Sequence, residues 1–238
     1  MGTLDEAKRD VVIANRILAH EGVVDAWGHV SVRHPDVPER YLLSRSRSPE
    51  LVELDDVLEF RLDGDPVDDK GQHLYSERFI HGAIYEQRPD VHSVVHNHAN
   101  EIIPFTVTQT PIRPLLHVAS LIGAEIPNWD IRKKFGDTNM LVVNRDMGHD
   151  LAAALGAAHV VLMRGHGCSV AGKSVLEAVL TAIYLKVNAQ LQTEAMKMGE
   201  ITILSPGEIA LMREVFTMES AISRVWEYLK VRAGIAAI

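Results

Sequence analysis

Two histidines one residue apart, His96 and His98, end the run Val94-Val95-His96-Asn97-His98. In an extended strand, residues i and i+2 project from the same face, so both imidazoles can serve one metal ion. The competing interpretation is a pair of surface histidines flanking an asparagine with no shared role. A third histidine, His166, sits between Gly165 and Gly167 just after the apolar run His159 to Met163. Glycines permit close backbone approaches and unusual turns. His166 is therefore either a turn residue or a third ligand at the same end of the sheet. Three neutral imidazoles leave coordination positions open for a substrate, as catalytic sites require.

Other residues gather around this cluster in the sequence. Glu77 and His81 lie four apart in a segment of helical character and share a face. If that face looks toward the histidines, Glu77 is a candidate acid/base or extra ligand, with His81 orienting it; otherwise Glu77 complements the helix dipole. The segment Ser44-Arg45-Ser46-Arg47-Ser48 carries two cations in an acidic chain. An arginine fork matches carboxylate or phosphate, although the same stretch also reads as a solvated loop. Cys168 lies two residues past His166 with no base beside it in the sequence.

The elements that must position these residues follow from pattern. Thr3 and Glu6 form a capping box ahead of a helix that ends near Gly22. Strands are predicted over 28–34, 40–44, 57–62, 92–98, 140–143 and 159–163. Helices are predicted over 76–88, 146–155, 174–198, and from Ser205-Pro206 onward to Arg232. Strands alternating with helices indicate a mixed α/β fold.

Bulk properties exclude several functions. The chain has 238 residues, 47% hydrophobic and 24% charged, which suits one globular domain spanning 1–238. A net charge of −8 argues against a nucleic-acid partner. No run is long and apolar enough to span a bilayer. Charged residues at positions 5, 6, 8, 9 and 10 do not read as a secretory leader. One cysteine cannot form an internal disulfide, which fits a reducing, cytoplasmic location.

Four segments in order resemble the class II aldolase/adducin family: Gly28-His-Val-Ser-Val-Arg33, Ser76-Glu77 with His81, Val94-Val-His-Asn-His98, and Arg164-Gly-His-Gly167. The resemblance implies a three-layer α/β/α fold with a central, largely antiparallel sheet. It implies His96, His98 and His166 as ligands of one divalent ion per subunit, zinc or manganese, with Glu77 as catalytic acid/base. It also implies a homotetramer.

Where sugar-phosphate aldolases of this type carry Asn, Thr-Gly and Ser-Ser, this chain has His29, Ser46-Arg47 and Tyr75-Ser76. The tyrosine expected soon after Ile126-Pro127 is absent. Those replacements resemble the branch that decarboxylates hydroxylated aromatic or pyridine dicarboxylic acids. His29, Arg45, Ser46, Arg47 and Ser76 become the candidate contacts for a small carboxylic acid. Glu77, kept protonated by its site, or a nearby histidine is then expected to protonate the ring carbon. The alternatives are an aldolase acting on a hydroxy-ketone or carboxylated sugar-like substrate, and an adducin-like module without catalysis.

Overall fold

Residues 3–216 and 218–235 are described by a computed structural model. Thr3 caps the first helix, α1 (Leu4–His20): its hydroxyl accepts the Glu6 N–H, and the Glu6 carboxylate accepts the Thr3 N–H. Three strands follow, β1 (His29–Arg33), β2 (Arg40–Ser44) and β3 (Val57–Arg61). Helix α2 (Arg78–Gln87) then leads into β4 (Ser93–Asn97). Short pieces come next: α3 (Ile103–Val107), β5 (Asn128–Trp129) and α4 (Arg132–Phe135). Helix α5 (Arg145–Leu155) precedes the hairpin of β6 (Val160–Met163) and β7 (Gly167–Gly172). Three helices finish the chain, α6 (Val175–Met198), α7 (Pro206–Val215) and α8 (Glu219–Arg232).

The seven strands form one sheet in the order β3-β2-β1-β4-β7-β6-β5. Every pairing is antiparallel except β5 with β6. Strand alternation sends neighbouring residues to opposite faces. Val30, Val95 and Val170 pack with Ala14, Ile17 and Leu18 of α1 and Val179 and Ala182 of α6. Tyr41, Val94, Val161 and Ala171 pack with Ile80 and Ile84 of α2 and Leu151 and Leu155 of α5. These cores on opposite faces, with a third cluster where Val11 and Val12 of α1 meet Leu42 and Val57, make the three layers α/β/α. Each fully buried Val, Leu or Ile contributes about 1.5–3 kcal/mol of transfer free energy.

Beyond the short pieces α3, β5 and α4, which the sequence pattern did not mark, three elements differ from it. Residues 140–143 form no strand. Met140 adopts φ +68°, and the Val142 N–H donates to the Glu77 carboxylate, so ladder groups are committed to side chains. The helix expected from Ser205 to Arg232 is two helices, because α7 stops at Val215 and the chain turns at Phe216, which packs against the α1/α6 core. Strand β7 has no clear apolar alternation because all six of its residues are buried.

Candidate metal centre and active-site cavity

Strand β4 delivers His96 onto the α2 face of the sheet, beside His29 on β1 and Ser169 on β7. His98 follows one step past the strand end. His166 occupies the β6–β7 turn, and both glycines around it are required. Gly165 has φ +65°, and a Cβ on Gly167 would stand 2.1 Å from the Asn97 carbonyl oxygen. Glu77 is the residue just before α2. The four come from four separate places in the chain and converge: one ligand atom from each lies within 4.8 Å of the others.

Hydrogen bonds behind the rings decide which nitrogens face inward. The Nδ1 of His96 lies 3.0 Å from the Cys168 carbonyl, and that of His166 lies 3.1 Å from the Met140 carbonyl. A carbonyl only accepts, so both Nδ1 atoms carry the proton and both Nε2 atoms present lone pairs. His98 Nε2 is 2.9 Å from His96 Nε2 and 3.1 Å from His166 Nε2. Glu77 Oε2 stands 3.4 Å from His96 Nε2 and 3.5 Å from His166 Nε2. Lone pairs so close repel unless a cation lies among them, so the donor set fits a divalent ion. The backbone carbonyls that fix the tautomers are the usual support of such ligands.

Burial favours the protonated form of Glu77, as the sequence led us to expect. The neighbouring His96 and His166 outweigh it and hold the carboxyl well below the ordinary carboxylate range. The direction of that shift runs against a resting protonated acid at Glu77. His81 does not orient it. His81 bonds His29 and Ser31 instead, and burial, followed by the nearby His96, lowers its pKa to about 3.

A cavity of 640 Å³ opens onto this cluster, lined by Glu77, His98 and His29 on one side and by Ser46, Arg47, Ser76 and Tyr75 around them. Such a volume suits a small organic ligand. The polar loop divides unexpectedly. Arg45 is not among the lining residues; its Nε donates to Asp56 Oδ1 at 2.6 Å. Arg47 does line the cavity, with Nη1 2.6 Å from Asp56 Oδ2. The Tyr75 phenol donates to the Arg47 carbonyl, and its ring lies 4.5 Å from that of His29.

Trp27, Leu74 and Leu141 also form the walls, with Trp27 68% exposed. Isolated apolar residues gave no sequence signal for that role. Tyr85, eight residues after Glu77, also lies on the α2 face over β1. The i, i+4, i+8 spacing of Glu77, His81 and Tyr85 was the available clue.

Cys168 belongs elsewhere. Its thiol accepts from Asn97 Nδ2 in the α1/α6 core, and burial pushes it up to about 12. Native protein should resist iodoacetamide at about pH 8, where a free exposed thiol reacts, and unfolded protein should be labelled. Mass spectrometry of the two samples checks this; labelling of the folded chain would contradict the buried placement.

This geometry has relatives. The class II aldolase and adducin N-terminal domain family matches residues 9–193. The chain belongs to that family. Decarboxylase tropJ of Talaromyces stipitatus is 38% identical over 80% of this chain and 77% of its own length. The 3,4-dihydroxyphthalate decarboxylase of Arthrobacter keyseri is 31% identical over 81% of this chain and 80% of its own. L-fuculose phosphate aldolase of Escherichia coli is lower at 29%, over 79% and 83%. The solved aldolase II superfamily protein from Pseudomonas syringae superposes with a TM-score of 0.80 at 21% identity, covering 98% of this chain and 94% of that one. The fold is thus the class II aldolase fold, and the decarboxylase and aldolase relatives make this family member a lyase. No helix among the described residues is long and apolar enough to cross a membrane.

Proposed function

We propose that the protein is a metal-dependent, non-oxidative decarboxylase of a hydroxylated aromatic or heteroaromatic carboxylic acid. The observation that carries this is the cavity in which the Glu77–histidine cluster and the Arg47 guanidinium face one space. Resemblance to a 3,4-dihydroxyphthalate decarboxylase supports an aromatic dicarboxylate as the substrate class. His96, His98, His166 and Glu77 would hold the ion, zinc or manganese. When bound, it supplies a Lewis acid for the negative charge that develops as CO₂ departs.

The chain's own groups supply the rest. Among the described residues only Nη1 of Arg47 is bonded through its side chain, to Asp56 and Glu53, which leaves its other donors for a substrate carboxylate. Tyr75 and Leu74 offer apolar surface to a flat ring. Glu77, ionised at rest, accepts the substrate's hydroxyl proton. The carbon–carboxylate bond then breaks, its electron pair stays on the ring carbon, and Glu77 returns the proton there. Retro-aldol cleavage needs the same charge stabilisation, so the fragment released separates the two reactions.

The geometry assigns different roles to the two arginines. Arg47→Ala should raise KM for a dicarboxylate about 10- to 100-fold, the worth of a charge-assisted hydrogen bond. Arg45→Ala should change KM far less. Steady-state kinetics on paired mono- and dicarboxylic acids tests this. Equal KM effects on both acids would remove Arg47 as the carboxylate anchor. A homotetramer forms part of the reading, and light scattering on the purified protein checks it.

A further inference from the structure

Behind His29 runs a buried chain of side chains that the metal cluster does not use. His29 Nδ1 is 2.6 Å from His81 Nε2, and His81 Nδ1 is 2.6 Å from Ser31 Oγ. Ser31 Oγ is in turn 2.8 Å from the Tyr85 hydroxyl. His81 and Ser31 are fully buried, and His29 and Tyr85 nearly so. Two ring nitrogens 2.6 Å apart can share only one proton, and both rings are buried away from water, so each is assigned as a neutral imidazole with one ring proton.

The direction of the chain can be worked out from its closed end. Among the described residues, Ser31 Oγ is the only acceptor for the Tyr85 O–H. Tyr85 therefore donates to Ser31. Reversal would leave a buried O–H without an acceptor, at a cost of about 1–3 kcal/mol. The Ser31 proton must then go to His81 Nδ1. That places the His81 proton on Nε2, where it is donated to His29 Nδ1. The remaining nitrogen of His29, Nε2, holds a proton.

We propose that Tyr85, Ser31 and His81 are positioning residues that lock His29 as its Nε2–H tautomer, so that it offers the substrate in the cavity a hydrogen-bond donor and never a lone pair. The preferred ligand at that point is an acceptor-only group, a carboxylate or a phenolate oxygen. A neutral hydroxyl whose proton needs an acceptor is disfavoured there. This use of the donor rests on the decarboxylase reading, whereas the tautomer itself does not. An asparagine at position 29 could turn its amide to donate or accept; an imidazole held by this chain can only donate.

Neutron diffraction from deuterium-exchanged, metal-loaded protein reads the proton positions directly. We expect deuterium on Nε2 of both His29 and His81, with the Ser31 deuteron toward His81 and the Tyr85 deuteron toward Ser31. Deuterium on His29 Nδ1 would overturn the proposal, whatever reaction the enzyme catalyses. The Tyr85→Phe variant removes the group that sets the direction. It should show deuterium divided between the His29 nitrogens and a loss of roughly tenfold in kcat/KM, the worth of one neutral hydrogen bond, at unchanged metal content. Retention of a pure Nε2–H tautomer in that variant would show that Tyr85 does not position His29. If the wild-type tautomer is as stated but no carboxylic acid is decarboxylated, the functional reading fails while the hydrogen-bond assignment stands.

Discussion

Replacing His96 with alanine is expected to leave a folded protein that has lost both its metal and its lyase activity. His96 is fully buried at the centre of the cluster, its Nε2 within 3.4 Å of His98 and Glu77. Residues that merely orient a metal ligand are worth about 10- to 100-fold in metal affinity, and a ligand itself is worth more. The substitution also strands the Cys168 carbonyl that His96 Nδ1 satisfied, which adds about 1–3 kcal/mol of destabilisation. Thermal unfolding should therefore be recorded beside metal content. His149→Ala is the control, since His149 is a surface residue paired with Glu86. Elemental analysis should find the ion in that variant and not in His96→Ala. Full occupancy in His96→Ala would remove His96 from the ligand set.

The second large effect belongs to Glu77. Glu77→Gln keeps the shape of the side chain and the carbonyl that accepts the Val142 N–H. It loses the ability to take a proton from substrate and return it to carbon. A positioned acid/base group typically contributes about 10²- to 10⁴-fold, and a fall in kcat of that order is expected, with three imidazoles still retaining metal. Turnover unchanged from the wild type would exclude Glu77 from the proton transfers. Turnover restored by excess metal alone would make it a ligand and nothing more.

Most of the site was legible in the sequence because its signals are local. His-x-His at the end of a strand, a histidine between glycines and a glutamate at a helix start each report a backbone position, and each lies within the described cluster. What the sequence hid was partnership. Arg45 and Arg47 look equivalent in Ser-Arg-Ser-Arg-Ser, and both pair with Asp56, yet only Arg47 lines the cavity. His81 was assigned to Glu77 from helix spacing, but the β1 register puts His29 and Ser31 within its reach. The direction in which the Glu77 pKa moves also depends on neighbours far away in sequence, since burial alone pushes it the other way.

The fold followed the same division. Capping boxes at Thr3 and Ser205 marked helix starts correctly. The apolar segment 140–143 failed as a strand because its backbone groups serve His166 and Glu77. Strand β7 escaped notice because burial on both faces erases alternation.

Loss of CO₂ at a metal-dependent centre can be read from a gas and product balance. Protein stripped with a chelator and then reloaded with zinc or manganese is incubated with a hydroxylated aromatic dicarboxylic acid, and the released gas and organic product are quantified. One CO₂ per molecule of hydroxylated monocarboxylic acid formed is expected from the reloaded protein and none from the stripped one. Absence of CO₂ across such acids, with an aldehyde released from a hydroxy-ketone substrate instead, would contradict that expectation.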